Sequence, residues 1–271
     1  MRGPPLKKAL GQHHLREGAL CRPVIDFLAG PRPPAGRPDQ PLAGQRVVEV
    51  GPGGGVLTAE LLAAGARVAG WELDPRWAFA LRRDRPARGL SIILGDALDI
   101  SWGHLPAPTL AAGNLPYGIA TALVERLLPN HARVPRAAFL VQREVAERLV
   151  ASPGAPAYGS LSVLVAAYAR PRLLARVRRG SFHPPPKVEG AFVGFELHPP
   201  PLPAERMDGF IAIVRLAFAQ RRKTLRNALA AGWGRERAAA VLAALGFPPA
   251  CRAEQLGLAD FLALYQDSGE P

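Results

Sequence analysis

The chain has 271 residues, 28 of them glycine and 29 proline, yet 48% are hydrophobic, which is too apolar for a disordered chain. Lys plus Arg number 34 against 22 Asp plus Glu, a formal charge of +12. Such a balance points to a polyanionic partner, either nucleic acid or an anionic membrane surface.

In chain order, residues 30–41 are rich in proline and read as a loop between an N-terminal helical segment and the first strand. Residues 46–50 (RVVEV) predict a strand, then a glycine turn and a helix over 56–64. The strand signal returns at 67–72 with a helix over 76–83, and again at 91–94 and 110–113 with a helix over 119–128. A fifth strand over 137–142 leads into a helix over 144–150. Strands alternating with helices across short turns predict an α/β fold, a parallel, doubly wound Rossmann-like sheet with helices on both faces. Residues 173–177 and 191–197 predict a closing, antiparallel strand pair. The proline run over 198–203 is a stiff linker, and helical spacing continues from it to the end of the chain. The expected organisation is a ligand-binding domain over 1–198, including an N-terminal segment 1–44, and a small all-helical domain over 199–271.

Several functions are excluded. Cys21 and Cys251 stand alone, and the six histidines form no cluster at ligand spacing, so neither a disulfide framework nor a metal site is expected. Lys7 and Lys8 have no apolar run behind them, and prolines interrupt the uncharged stretches 101–124 and 149–169. A secretory signal and a spanning helix are therefore not expected, and the chain reads as soluble and cytoplasmic.

Glu49-Val-Gly51-Pro-Gly53-Gly54-Gly55 comes after a predicted strand and opens a predicted helix, where glycines let the backbone approach a ligand. A dinucleotide fingerprint fits poorly, because the sixth position counted from Gly51 is Val56. The pattern instead resembles motif I of S-adenosylmethionine-dependent methyltransferases. Glu72 ends the second strand 21 residues after Gly51, the spacing at which a carboxylate reaches ribose hydroxyls. Asp96 comes after the third strand, placed to meet an adenine amino group. Each acid alone is more often a loop residue or helix cap; together, at successive strand ends, they point to a nucleoside cofactor.

Asn114-Leu115-Pro116-Tyr117 comes after the fourth strand. Read locally it is a turn, but it also resembles motif IV of amino-methylating methyltransferases. An adenine exocyclic amine is a weak nucleophile, because its lone pair is delocalised into the ring. Acceptors on its N–H bonds, the Asn114 amide oxygen and a carbonyl near Leu115, favour the pyramidal nitrogen of the transition state. Pro116 stiffens that carbonyl's direction, and Tyr117 offers a face for an unstacked base.

With these motifs, the blocks Phe139–Arg148, Ala157–Ser162, Phe182–Val188 and above all Phe218–Asn227 (FAQRRKTLRN) resemble the KsgA-type small-subunit ribosomal RNA adenine dimethyltransferases, from about Lys7 to Tyr265. The resemblance implies transfer of two methyl groups from S-adenosylmethionine to each of two adjacent adenosines near the small-subunit (16S) rRNA 3′ end. The substrate would be an immature ribosomal particle. No exposed apolar heptad in the sequence suggests a dimer, so a monomer is expected. Carried over by position, the cofactor contacts are His13, Leu15, Gly51, Gly53, Glu72, Asp96 and Asn114. Phe182 is either a second stacking face for the flipped base or a core residue. The family usually reads Gly-Gln-Asn-Phe-Leu where this chain has Gly11-Gln12-His13-His14-Leu15, so loss of the aromatic at His14 is expected to loosen the N-terminal lid. Gly190 stands where serine is usual.

Basic residues Arg176, Arg178, Arg179 and Lys187, and a second cluster of Arg221, Arg222, Lys223 and Arg226, suit phosphate contacts along structured RNA. In this picture the tail cluster anchors an rRNA helix while the first domain captures a single-stranded adenosine. Two alternatives stay open from sequence: a large-subunit rRNA adenine methyltransferase, and a non-catalytic RNA-binding assembly factor with the same fold.

Overall fold

The computed structural model describes residue 4 and residues 13–31, 39–84, 88–220 and 222–269. They form two compact units, one of residues 1–146 with 169–199 and the other of 147–168 with 200–271.

The first unit holds a seven-stranded sheet. Its strands are β2 (Arg46–Val50), β3 (Arg67–Glu72), β4 (Leu90–Leu94), β5 (Leu110–Asn114), β6 (Arg136–Gln142), β7 (Ala169–Val177) and β9 (Gly190–Leu197). They lie in the order β4-β3-β2-β5-β6-β9-β7. Strands β2 to β6 are parallel to one another, and β9 runs antiparallel to both β6 and β7. The centre strands read as near-continuous apolar runs because both their faces are covered; in β5 the first four residues are all buried. At the edges the pattern loosens. β4 exposes Ser91 and Leu94, and β7 tolerates Pro171, whose missing N–H costs least in an edge strand. The expected closing strand pair is present and antiparallel.

Helix α1 (Arg22–Ala29) precedes β2, helices α2 (Val56–Ala63), α3 (Pro75–Asp84) and α4 (Ala120–Leu127) connect the parallel strands, and α5 (Arg143–Leu149) comes after β6. Gly113 lets β5 lie close to β2: a Cβ there would sit 2.5 Å from the Val50 carbonyl oxygen. A further two-stranded sheet pairs β1 (His14–Leu15) antiparallel with β8 (Phe182–His183). The chain before α1 is thereby tied beside the glycine loop.

The second unit contains α6 (Ser160–Tyr168), α7 (Ala204–Phe218), α8 (Leu225–Trp233), α9 (Arg235–Ala244) and α10 (Leu258–Asp267). Its core is aromatic. Phe218 meets Tyr158 and Phe261 at ring-centroid distances of 5.9 and 5.8 Å, and Phe210 stands edge-on to Tyr265. A division of the chain at 198 assigns α6 to the sheet domain; in the structure α6 packs on α7 and α10 instead. Its sequence is apolar nearly all round, and such a helix needs partners on every side. Tyr158, just before it, donates to the Leu256 carbonyl at 2.8 Å and ties the segment to the chain entering α10.

Candidate functional site

Neighbouring parallel strands end at one edge of the first unit, and the residues at and just beyond those ends build the site. After β2, Gly51, Gly53 and Gly55 have φ of +65°, +50° and +74°, values that L side chains rarely adopt. That backbone requirement, rather than the motif's letters, explains glycine at alternate positions. The Gly51 N–H donates to the Trp71 carbonyl at 2.9 Å, fastening the loop to β3.

Glu72 ends β3 and is buried, with 5% exposure. Its Oε2 accepts the Gly53 N–H and its Oε1 the Asp74 N–H, both at 2.9 Å. Burial raises its pKa above the ordinary carboxylate value, against the opposing pull of these two hydrogen bonds. Each oxygen keeps a second lone pair for a ligand hydroxyl. Asp96 lies just past β4 and caps a 3-10 turn, its Oδ1 accepting the Leu98 N–H at 2.8 Å, which leaves Oδ2 for a ligand. It is at once a helix cap and a wall of the cavity.

Asn114 ends β5. Its Nδ2 donates to the His13 carbonyl oxygen at 2.7 Å. A carbonyl only accepts, so the NH₂ group must face it and Oδ1 must take the opposite side of the amide. The Leu115 N–H is held by the Leu140 carbonyl at 2.9 Å, which fixes the peptide between the two residues. Tyr117 lies beside the His13 ring, with centroids 5.6 Å apart and planes 28° from parallel.

These groups surround one cavity of about 390 Å³, lined by Gly51, Gly53, Glu72, Asp96, His13 and the whole of Asn114–Tyr117. The volume falls in the range of roughly 300–1,000 Å³ usual for small-molecule sites. Apolar walls not anticipated from the sequence come from Trp71, Leu73, Ala97 and Ile119. Leu73 carries the one signal that could have found it, a leucine directly after the acid at a strand end, and it is 52% exposed.

Two expected site residues do not line this cavity. Leu15 is 6% exposed, belongs to the hydrophobic core, and borders a small recess of about 20 Å³ that Gly51 and Asn114 also line. Phe182 is 2% exposed in the same core. The stacking face expected of it is corrected to a core role, because its ring fills the space over Gly190, where a Cβ would lie 3.2 Å from its Cζ. Glycine in place of serine at 190 therefore makes room for this ring.

His14, where a loosened lid is expected, is itself packed against its neighbours. Its imidazole meets Trp77 edge-on at 4.6 Å and covers the glycine loop, where a Cβ on Gly53 would lie 2.8 Å from its Nε2. Burial first, then the neighbouring His13 and His183, pulls its pKa down to about 4. His14 is thus an uncharged aromatic near neutrality. Because the folded state resists protonation that the unfolded chain accepts from about pH 6.5, stability falls as pH drops through that window toward 4. His14→Phe removes this titration. Its melting temperature is expected to exceed the wild type's by about 2–4 °C near pH 5, from about 1 kcal/mol after discounting for partial exposure, with the gap closing near pH 7.5. Thermal unfolding across that pH range checks it.

Arg176, Arg178, Arg179 and Lys187 are exposed, and none joins an ion pair among the described residues. Arg172, by contrast, is paired with Glu196 at 3.3 Å. In the second unit Arg222, Lys223 and Arg226 are exposed at the start of α8, which Thr224 caps. Arg221 lies outside the described residues. Among the described residues no helix is long and apolar enough to cross a membrane, and no cluster could hold a metal ion.

The sheet order, the glycine loop with acids at the next two strand ends, and Asn-x-Pro-Tyr at the fourth define a class I methyltransferase built to act on an amine. A family model described as ribosomal RNA adenine dimethylase matches residues 6–267. The ribosomal RNA small subunit methyltransferase A of Rubrobacter xylanophilus is 42% identical over 267 residues, covering 98% of this chain and 96% of that one. The protein of that name from Deinococcus radiodurans is 38% identical, covering 95% and 84%. The solved 23S rRNA methyltransferase ErmE is 25% identical, covers 94% of this chain and 99% of its own, and superposes with a TM-score of 0.69. A dimethyladenosine transferase from Plasmodium falciparum shares the fold with a TM-score of 0.73 at 23% identity, over 95% and 98% of the two chains. The chain belongs to the ribosomal RNA adenine dimethylase family, and membership implies S-adenosylmethionine as methyl donor.

Proposed function

We propose that the chain dimethylates N6 of two adjacent adenosines near the 3′ end of small-subunit rRNA, acting as a cytoplasmic monomer on an immature small ribosomal subunit. The observation that carries this is the fixed amide of Asn114. Its oxygen is turned away from the His13 carbonyl while Tyr117 stands on the same cavity wall. The whole-length identity of 42% to a small-subunit methyltransferase, against 25% to a large-subunit one, favours the small-subunit substrate.

The residues present fit S-adenosylmethionine. Glu72 offers acceptors for ribose hydroxyls, Asp96 Oδ2 an acceptor for the adenine amine, and Leu73, Ala97 and Ile119 apolar walls for the base. Gly51 and Gly53 let the backbone come close, with Asn114 along the same wall; Leu15 supports it from the core. The bound donor supplies an electrophilic methyl group on a sulfonium. Asn114 Oδ1 and the Leu115 carbonyl take the amine's N–H bonds, Pro116 fixes their spacing, and Tyr117 receives the base. Orientation accounts for much of the acceleration.

Purified protein incubated with labelled S-adenosylmethionine and undermethylated small subunits should give dimethyladenosine in the small-subunit rRNA alone. Label in large subunits instead would establish the other ribosomal substrate. Cofactor binding with no transfer to either would favour the assembly-factor role.

Each unit contributes its own exposed basic group to RNA binding: Arg176, Arg178, Arg179 and Lys187 in the first, and Arg222, Lys223 and Arg226 in the second. Arg221, outside the described residues, adjoins the second group in sequence. Such contacts position RNA without reading its sequence. Arg222→Glu combined with Lys223→Glu is expected to raise the KM for subunits by roughly 10²-fold at physiological salt while S-adenosylmethionine affinity stays within twofold. Equal KM values would remove the tail cluster from the RNA site.

A further inference from the structure

Tyr117 is a platform without a tether. Its hydroxyl is buried and has no hydrogen-bond partner among the described residues, and burial raises its pKa, so the hydroxyl stays protonated. A tyrosine used to hold a base needs its ring plane fixed, and here the O–H does not fix it. The neighbouring ring does. His13 lies nearly parallel to Tyr117 at 5.6 Å. The imidazole is itself anchored, because its Nδ1 lies 2.8 Å from the Pro184 carbonyl oxygen. That oxygen only accepts, so Nδ1 carries the proton. The anchor comes from the segment just past β8, whose pairing with β1 sets the position of residue 13.

The same residue governs the second half of the acceptor site, since its backbone carbonyl orients the Asn114 amide. His13 thus touches both groups that handle the target adenine, with its side chain committed to Tyr117 and Pro184. This differs from a cofactor contact made by the imidazole, the role carried over for it by position.

On the basis of the function proposed above, we infer that His13 is a positioning residue for the base platform: its imidazole backs one face of Tyr117 and leaves the other face for the flipped adenine. The ring, rather than the hydrogen bond alone, is what the reaction uses. The chemistry recognised is a planar nucleobase, and the consequence falls on turnover and RNA use rather than on the methyl donor.

Three variants separate these roles. His13→Ala removes ring and hydrogen bond, His13→Gln keeps a side-chain donor toward Pro184 without a ring, and His13→Phe keeps a ring without the donor. All three keep the backbone carbonyl that orients Asn114. At saturating S-adenosylmethionine, His13→Ala and His13→Gln should lose roughly 3- to 10-fold in kcat/KM for small subunits, the worth of one aromatic pair. His13→Phe should recover most of that loss. The S-adenosylmethionine Kd, measured by calorimetry without RNA, should change less than twofold in all three. Weakened S-adenosylmethionine binding with unchanged kcat/KM would make His13 a cofactor contact and overturn the inference. So would rescue by Gln but not Phe, or three variants all equal to the wild type. If His13→Ala does not fold, the Gln and Phe variants still decide between ring and hydrogen bond. A wild type that methylates neither subunit would count against the proposed function itself, separately from these comparisons.

Discussion

Asn114→Ala is expected to lower kcat on small ribosomal subunits by roughly 10²–10³-fold at saturating methyl donor, the usual scale for one preorganised polar group aimed at developing charge. The target nitrogen gains positive charge as it attacks, and an acceptor already in place stabilises that charge without reorganising. Asn114 is in place because its Nδ2 is spent on the His13 carbonyl at 2.7 Å. The same hydrogen bond makes aspartate a poor substitute. An ionised carboxylate would set an anionic oxygen against that carbonyl, so Asn114→Asp should hold its proton more tightly than an ordinary carboxyl. The protonated acid donates to His13 and leaves its other oxygen as acceptor, which reproduces the asparagine arrangement. Activity of Asn114→Asp relative to the wild type should therefore rise as pH falls from about 8 to about 6. A variant as active as the wild type at the alkaline end would show that negative charge, not orientation of a neutral acceptor, is what the site needs.

The strands that carry these residues were legible because sheet burial writes itself into local sequence. β2, β5 and β6 are apolar for several consecutive residues, and their observed ends lie within a residue of those expected. Glu72, Asp96 and Asn114 could be singled out because each stands where such a run stops. Their hydrogen-bond partners could not, since the Gly53, Asp74 and Leu98 amides are aimed by loop conformation. The two-residue pairing of β1 with β8 was equally invisible, because neither His14-Leu15 nor Phe182-His183 has a period of its own. With that pairing unknown, Leu15 and Phe182 looked available to ligands when both are spent on the core. The apolar run of α6 was plain, but which unit it joins depends on α7 and α10, far along the chain.

Glu72→Gln should separate binding from stability. The two carboxylate oxygens each accept one backbone N–H, from Gly53 and from Asp74. A glutamine amide has one oxygen and one NH₂, so in either orientation it presents a donor to a donor. One buried N–H is left unsatisfied, at a cost of about 1–3 kcal/mol, and the loop that must meet the ligand is pushed from its place. The acceptor for a ribose hydroxyl is lost at the same atom. S-adenosylmethionine Kd is expected to rise roughly 10²-fold, the upper part of that cost expressed as affinity. Stability moves differently. Burial raises the wild-type Glu72 pKa above 4.5, so the folded state holds this proton more tightly than the unfolded chain. Wild-type stability accordingly falls as pH rises through the window above 4.5, and near neutrality the fold carries the cost of an ionised, desolvated carboxylate. Glutamine removes that cost, offsetting the lost hydrogen bond, so the melting temperature at pH 7 should change by only a few degrees, about 4 °C at most. The decline in stability with rising pH should also flatten in the variant. Calorimetric binding and thermal unfolding on the same samples test both halves. If the two fall together, Glu72 serves only to hold the glycine loop. If affinity collapses while the fold stands, the chain keeps a buried charge that its stability does not need, because the nucleoside does.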